Sequence, residues 1–185
     1  MKSVYTIFFL AVTFFSYGQM SAKPGQTLNL DSFNKEEAKK VTGTPFPHFI
    51  ATDGETTVSN KSLQGKVVLI NFWFEACKPC VAEFGALNEL YEILKDRKEF
   101  VFISFTPDDA QTIKRVKENY QLPYRIFHVS QEECYRLNQG AGFPLSIILG
   151  KDGRIRYFHG GGQATKEKAK EFVMDQMLPK IKAEL

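Results

Sequence analysis

Residues 66–83 read KVVLINFWFEACKPCVAE, and this stretch decides the fold. Its first part, 66–74, is almost continuously apolar and rich in β-branched and aromatic residues, which is typical of a strand buried on both faces. Between Lys78 and Asp96, apolar residues recur at spacings of three and four and predict a helix with one apolar face. The four residues of the motif Cys77-Lys78-Pro79-Cys80 therefore lie where a buried strand passes into a helix.

The rest of the chain alternates strands and helices. Strands are expected at 46–50, 56–58, 99–105, 124–129, 144–149 and 155–158. Helices are expected from Asp108 or Asp109 to 119, at 132–138, and from Thr165 to 183. This order predicts an α/β fold, in which helices flank a central mixed sheet and a β-hairpin extends the N-terminal side.

The Cys pair is placed for redox chemistry. A helix N-terminus offers free N–H groups and a partial positive charge, so the pKa of Cys77 should fall and its thiolate should be favoured. Lys78 adds a positive charge, and Pro79 fits the first helical turn, where its missing N–H costs nothing. We expect Cys77 to attack substrate disulfides and Cys80 to resolve the mixed disulfide.

Other uses of the cysteines are less consistent with the sequence. A zinc site needs four ligands, and Cys134 and the three His residues offer no second close pair. Covalent haem attachment needs His after the second Cys, where this chain has Val81. Cys134 can be a third redox thiol, a dimer-forming cysteine or, as we favour, a small buried apolar residue. We expect no metal and no cofactor, since no flavin or nicotinamide motif is present.

The N-terminal end predicts export. Lys2 precedes an uncharged apolar run at 4–17, and small residues follow it, as in a secretory signal peptide. The run is shorter than the roughly 20 residues of a spanning helix, although an uncleaved anchor stays open. We divide the chain into a signal at 1–18, a polar linker at 19–42 with a turn or two of helix at 34–40, and one domain at 43–185. The net charge of +3 gives no argument for nucleic acid.

Several motifs together resemble the thioredoxin-like family of TlpA and ResA type. They are Asn71-Phe72-Trp73, the Cys77–Cys80 motif with Glu83 after it, Gly142-Phe143-Pro144 before a strand, and Lys151-Asp152-Gly153-Arg154-Ile155. The resemblance covers about residues 43–185. The chain departs from the family's common pattern at Glu75, Ala76 and Gly85, and at Leu145-Ser146 after the proline, which leaves the choice of partner open.

The resemblance implies roles for further residues. Pro144 would be a cis-proline that faces the Cys pair and helps to bind extended substrate, rather than an ordinary trans residue that starts a strand. Phe143, Trp73, Lys78 and Pro79 would complete the substrate-binding surface, although Trp73 would also fit as core. Glu83 would be a partly buried carboxyl that moves protons to and from the thiols. A surface glutamate near a helix N-terminus is the alternative.

The resemblance also implies an activity. It is that of an extracytoplasmic, periplasmic thiol–disulfide oxidoreductase that reduces disulfides of partner proteins, with apocytochrome c as one family substrate. An upstream thiol protein, exported or membrane-bound, would supply the electrons. A thiol peroxidase of the same fold is one competitor, but it would need Thr where this chain has Phe74. A non-catalytic thioredoxin-like binding module is the other.

Overall fold

The computed structural model describes residues 30–185. The predicted signal at 1–18 and the first part of the predicted linker lie outside the described residues. Within 30–185, no helix combines the length and the apolar character that crossing a bilayer requires.

A five-stranded mixed sheet forms the centre of the fold. Its strands are β3 (Val67–Phe72), β4 (Phe100–Thr106), β5 (Arg125–His128), β6 (Leu145–Leu149) and β7 (Ile155–Gly160). They lie in the order β5-β4-β3-β6-β7. The pairs β3–β4 and β4–β5 are parallel, whereas β6 runs antiparallel to both β3 and β7. All six residues of β3 are buried, as the apolar run at 66–74 predicted.

Helices cover both faces of this sheet, which confirms the predicted α/β architecture. They are α1 (Leu30–Val41), α2 (Lys78–Leu94), α3 (Ala110–Tyr120), α4 (Gln131–Leu137), α5 (Lys166–Phe172) and α6 (Leu178–Glu184), with a π-helical turn at Val173–Met177. One apolar cluster joins the sheet to α2, α3, α5 and α6. A second cluster joins the other face to α1, α4 and the N-terminal hairpin. The site residues that follow β3 are therefore supported by apolar cores on both faces of the sheet.

The N-terminal hairpin is present but starts later than expected. Strands β1 (Ile50–Thr52) and β2 (Thr57–Ser59) pair antiparallel in a separate two-stranded sheet. The predicted strand at 46–50 is wrong over 46–49, because three of the backbone groups there bond to one side chain and form no ladder with a neighbouring strand. The amide of Asn60 accepts the Phe49 N–H at 2.7 Å and donates to the carbonyls of Phe46 and Pro47.

Two helical segments also differ from the expectation. Helix α1 is longer than the turn or two expected within the linker; it lies against β7 and ends at Val41, which is buried in the second cluster. The C-terminal helix begins after Thr165, whose side chain caps it as predicted. It then widens into a π turn before Pro179, because proline has no N–H to donate and crowds the carbonyl four residues earlier.

Candidate active site

The two cysteines of the motif form a disulfide at the start of α2. Cys77 is the N-cap residue, and its Sγ accepts the backbone N–H of Cys80 at 3.3 Å. The Cα atoms are 5.3 Å apart. Cys77 is 6% exposed and Cys80 only 2%. An approaching sulfur therefore reaches Cys77 more easily, and the N–H that now meets its sulfur would stabilise a thiolate there after reduction.

Pro79 occupies the first turn of α2, where it needs no hydrogen-bond partner. Lys78 is exposed beside it, and Ala76 is exposed on the preceding turn. The N–H of Cys77 donates to the carbonyl of Phe74 at 3.1 Å, which closes the turn between β3 and α2. Lys78 and Pro79 thus remain accessible from solvent, and their role in substrate binding stays a prediction.

Trp73 forms part of the floor under the disulfide. It is fully buried, its Nε1 donates to Ser104 Oγ at 2.7 Å, and its ring meets Phe84 edge-on at 5.3 Å between centroids. Ser104 Oγ in turn donates to the carbonyl of Asn71 at 3.1 Å. The expectation that Trp73 binds substrate needs correction, because a side chain with no exposed surface supports the redox centre from inside.

Glu83 is a buried carboxyl one helical turn beyond Cys80. It is only 3% exposed, and burial raises its pKa to about 8. The backbone N–H of Gln163 donates a hydrogen bond to the carboxylate and offsets part of that rise. The expectation of a buried carboxyl is confirmed, and the alternative of a surface glutamate is wrong. Its proton-transfer role remains a prediction.

Near Glu83 lies a second buried group that sequence reasoning did not single out. Tyr124 is 1% exposed, and its hydroxyl has no hydrogen-bond partner within the described part of the chain. Burial and the nearby charge of Glu83 both raise the pKa of this phenol. The interior beneath the disulfide therefore disfavours negative charge, which keeps Glu83 protonated near neutral pH.

Phe143 and Pro144 are joined by a cis peptide bond, as the resemblance predicted. Pro144 is buried, and its carbonyl accepts the N–H of Gly161 at 2.9 Å. Phe143 is half-buried, and its ring packs edge-on against Phe74 at 5.3 Å between centroids. The loop that holds the cis-proline therefore lies directly beside the loop that leads to the Cys pair.

Gly162 is a site residue that the sequence did not reveal. A Cβ atom at this position would lie 2.7 Å from Pro144 Cγ, 2.7 Å from Pro79 Cβ and 3.2 Å from a carboxyl oxygen of Glu83. The available signal was the run of three glycines at 160–162, at the end of β7, the strand that pairs with the strand that the cis-proline precedes.

The outer side of the site contains an ion pair. Glu75 accepts a bidentate hydrogen bond from Arg115, with distances of 2.9 Å and 2.7 Å. The guanidinium lowers the pKa of the Glu75 carboxyl. The backbone N–H of Glu75 donates to Asp108 Oδ2 at 2.6 Å. The negative charge before Cys77, which alone would oppose a thiolate, is therefore balanced by α3.

Cys134 is a free thiol that lies away from this chemistry. It is fully buried in α4, and burial raises its pKa to about 12. This confirms the favoured interpretation of Cys134 as a small buried apolar residue. Over residues 30–185, no group of three or more His, Cys, Asp or Glu side chains is arranged to hold a metal ion.

Comparisons with known proteins agree with this geometry. The family model of the AhpC/TSA family matches residues 42–158, which is more than half of the chain. A thiol-disulfide oxidoreductase ResA of Bacillus cereus is 31% identical over 156 residues, which cover 83% of this chain and 88% of the relative.

Solved structures show the same fold. A protein of Chlorobium tepidum described as a thiol:disulfide interchange protein DsbE superimposes with a TM-score of 0.65 at 21% identity, over 76% of this chain and 97% of that one. A thiol:disulfide interchange protein from Bacteroides sp. gives a TM-score of 0.57 at 25% identity, over 72% and 90%. The solved structures show that the fold is thioredoxin-like. Together with the disulfide at the start of α2, the family model and the curated relative show that the chain belongs to the AhpC/TSA family and is a thiol–disulfide oxidoreductase of ResA type.

Proposed function

We propose that this protein reduces disulfides of exported proteins, with Cys77 as the attacking residue, Cys80 as the resolving residue and Glu83 as the proton carrier. The observation that supports this assignment most directly is the geometry at the start of α2. Cys77 caps the helix, its sulfur accepts the Cys80 N–H, and it is the more exposed of the two cysteines.

The reaction starts from the reduced pair. The Cys77 thiolate attacks one sulfur of the substrate disulfide; a mixed disulfide forms, and the other substrate sulfur leaves as a thiolate and takes up a proton. The thiolate of Cys80 then attacks the Cys77 sulfur. The Cys77–Cys80 disulfide forms and the second substrate sulfur leaves as a thiolate. Two electrons pass to the substrate, and a dithiol protein of the same compartment must return them.

Glu83 supplies and receives the protons. Cys80 must lose its proton before it can attack, and the buried position disfavours a free charge there. A carboxyl with a pKa of about 8, one turn along the same helix, can exchange that proton near neutral pH. The Gln163 N–H steadies the charged form during the exchange.

The cellular setting and partners are part of the proposal. The apolar run at 4–17 supports export to the periplasm, either as a cleaved signal or as an anchor. Disulfide-containing proteins, among them apocytochrome c, are the proposed substrates because the chain resembles ResA. The proposed donor is an exported or membrane thiol protein. The proposed domain remains 43–185, which α1 precedes.

The direction of electron flow can be tested with the reduction potential of the Cys77–Cys80 pair, by equilibration in redox buffers. A value near or below about −270 mV supports a reductase, whereas a value near about −120 mV would make substrate oxidation the role. In a coupled assay on a disulfide protein, Cys77→Ser should abolish reduction. Cys80→Ser should accumulate the mixed disulfide, and Cys134→Ala, the control that removes the third thiol and keeps its buried site apolar, should retain the activity of the wild type.

Two alternative functions, a thiol peroxidase and a non-catalytic binding module, can be distinguished from a disulfide reductase by experiment. A thiol peroxidase would consume hydrogen peroxide in a coupled assay, and the position that needs Thr holds Phe74, whose ring packs against Phe143. A non-catalytic binding module would keep its disulfide inert. Rapid alkylation of Cys77 after mild reduction would exclude such a module.

A further inference from the structure

Three aromatic rings form a row that begins at the redox centre. Phe74 meets Phe143 edge-on with 5.3 Å between centroids, and Phe143 meets Tyr135 edge-on with 5.8 Å. Phe74 and Phe143 are half-buried, whereas Tyr135 is 41% exposed. We call these three residues the aromatic row. They come from separate parts of the chain, so the fold itself assembles the row.

Both inner members of the row belong to the active-site loops. The Phe74 carbonyl holds the N–H of Cys77, and Phe143 forms the cis bond to Pro144. The row is therefore continuous with the surface on which any substrate of the disulfide must lie. It leads from there to α4, which no sequence motif had linked to the site.

The outer ring is held in place by its helix. Helix α4 is anchored by Cys134 and Leu137, both fully buried. Arg136 pairs with Glu133 and also donates to the carbonyl of His48 at 2.6 Å, which ties α4 to the N-terminal segment. Tyr135 thus presents a fixed aromatic surface to solvent beside a reactive centre, and such surfaces commonly serve recognition.

We propose that the aromatic row binds an extended substrate segment that carries a large apolar side chain close to its reactive cysteine. The inference rests on the proposed function and names the substrate class of that same site. Each centroid spacing, 5.3 Å and 5.8 Å, is close to the roughly 7 Å that separates side chains two positions apart on one face of an extended chain. Side chains two positions apart face the same side of a strand, so the apolar residue belongs two positions from the cysteine.

The row also discriminates against charge. All three rings are uncharged, and the half-buried Phe143 packs against both apolar clusters of the core. An acidic side chain placed there would lose water without gaining an ionic partner from the row. A substrate with an apolar side chain at that position should therefore be reduced faster than one with an acidic side chain.

The test uses the full-length reduced protein and two disulfide peptides. The peptides differ at a single position, two residues from the reactive cysteine, which holds Leu in one and Asp in the other. The wild type should prefer the Leu peptide in kcat/KM by about tenfold. Tyr135→Ala should reduce that preference to about twofold or less, and Tyr135→Phe should retain it. Ile93→Ala is the matched control, since Ile93 is an exposed apolar residue near the far end of α2.

The outcomes separate the inference from the proposed function. If the wild type reduces both peptides at equal rates, or if Tyr135→Ala slows both equally, the inference is overturned while the reductase activity stands. If the wild type reduces neither peptide nor a small aromatic disulfide, the proposed function itself fails. Loss of self-association in Tyr135→Ala, measured by sedimentation and without a change in peptide preference, would assign the row to a second copy and also overturn the proposal.

Discussion

Two glutamates on either side of the Cys pair are in opposite environments. Glu75, two residues before Cys77, lies on the outer side, where Arg115 holds it by two hydrogen bonds and lowers its pKa. Glu83, three residues after Cys80, is buried, and its pKa is raised to about 8. The same type of side chain thus carries a balanced charge on one side of the centre and holds a proton near neutral pH on the other.

This difference follows from what surrounds each carboxyl. Water and a guanidinium stabilise the charged form of Glu75, whereas Glu83 has one backbone N–H, from Gln163, and lies near the buried Tyr124. Proton exchange at neutral pH should therefore depend on the inner carboxyl alone. Variants of the two carboxyls and of the residues packed around them give four predictions.

The largest expected effect is on stability as a function of pH. The pKa of Glu83 is about 8 in the fold, against an ordinary value of 4.5, so the unfolded chain releases this proton first as pH rises. The free energy of unfolding of the oxidised protein should therefore fall between about pH 4.5 and 8, by up to about 5 kcal/mol from this group. In Glu83→Gln this contribution should vanish.

Urea unfolding of both proteins at several pH values measures this difference, in which the other titrating groups cancel. Glu75→Gln is the control. Because the pKa of Glu75 is lowered, its stabilising effect is present above its ordinary pKa and is lost only as the solution becomes more acidic. Parallel curves for the wild type and Glu83→Gln from pH 4.5 to 8 would mean that Glu83 is not buried as described.

The second effect is on turnover. Glu83→Gln removes the proposed proton carrier but keeps the size of the side chain, so reduction of a protein disulfide at pH 7 should slow by about tenfold to hundredfold. Glu75→Gln should remain within about twofold of the wild type, since an exposed ion pair contributes little. Equal rates for Glu83→Gln and the wild type, with an unchanged pH profile, would refute the proton-transfer role.

The third effect concerns the contact between the active-site loops. In Gly162→Ala, the new methyl group would press on the rings of Pro79 and Pro144, neither of which can rotate away. The free energy of unfolding should fall by about 1–3 kcal/mol. In the matched control Gly85→Ala, the added Cβ meets no atom within 4 Å, and the helix should gain about 0.5–1 kcal/mol. Equal effects of the two substitutions would contradict the close approach at Gly162.

The smallest effect tests the outer side. Arg115→Ala leaves the charge of Glu75 unbalanced near Cys77, so alkylation of the reduced protein by iodoacetamide at pH 7 should slow by about twofold. High salt should weaken the effect, and the double variant Glu75→Gln with Arg115→Ala should restore the rate. A rate that stays low in the double variant would point to a structural role for Arg115 instead.

Local patterns predicted the central part of the molecule well. The passage from β3 into α2, the caps at Asp109 and Thr165, and the β6–β7 hairpin all depend on residues close together in the chain. The resemblance added the cis bond at Pro144 and the candidate role of Glu83. These features could be predicted because neighbouring residues, or a motif shared with a family, encode them.

Contacts across long sequence separations could not be predicted in this way. Three backbone groups at 46–49 bond to the side chain of Asn60, so no strand pattern reveals their partner. Arg115 reaches Glu75 across 40 residues. Gly162 meets Pro79 and Pro144 only after β7 has paired with β6. Local sequence patterns predict none of these contacts, because each depends on how the sheet brings distant segments together.

The most direct test of the difference between the two carboxyls is the pKa of Glu83 itself. It can be measured in the oxidised protein by carbon-13 NMR of labelled glutamate carboxyls, with the signal assigned by its loss in Glu83→Gln. Because the Cys pair is then a disulfide, neither of its sulfurs titrates and the curve reports the carboxyl alone. A midpoint near 8 is the predicted result. A midpoint near the ordinary value of 4.5 would contradict the proposal that this side of the redox centre stores the proton.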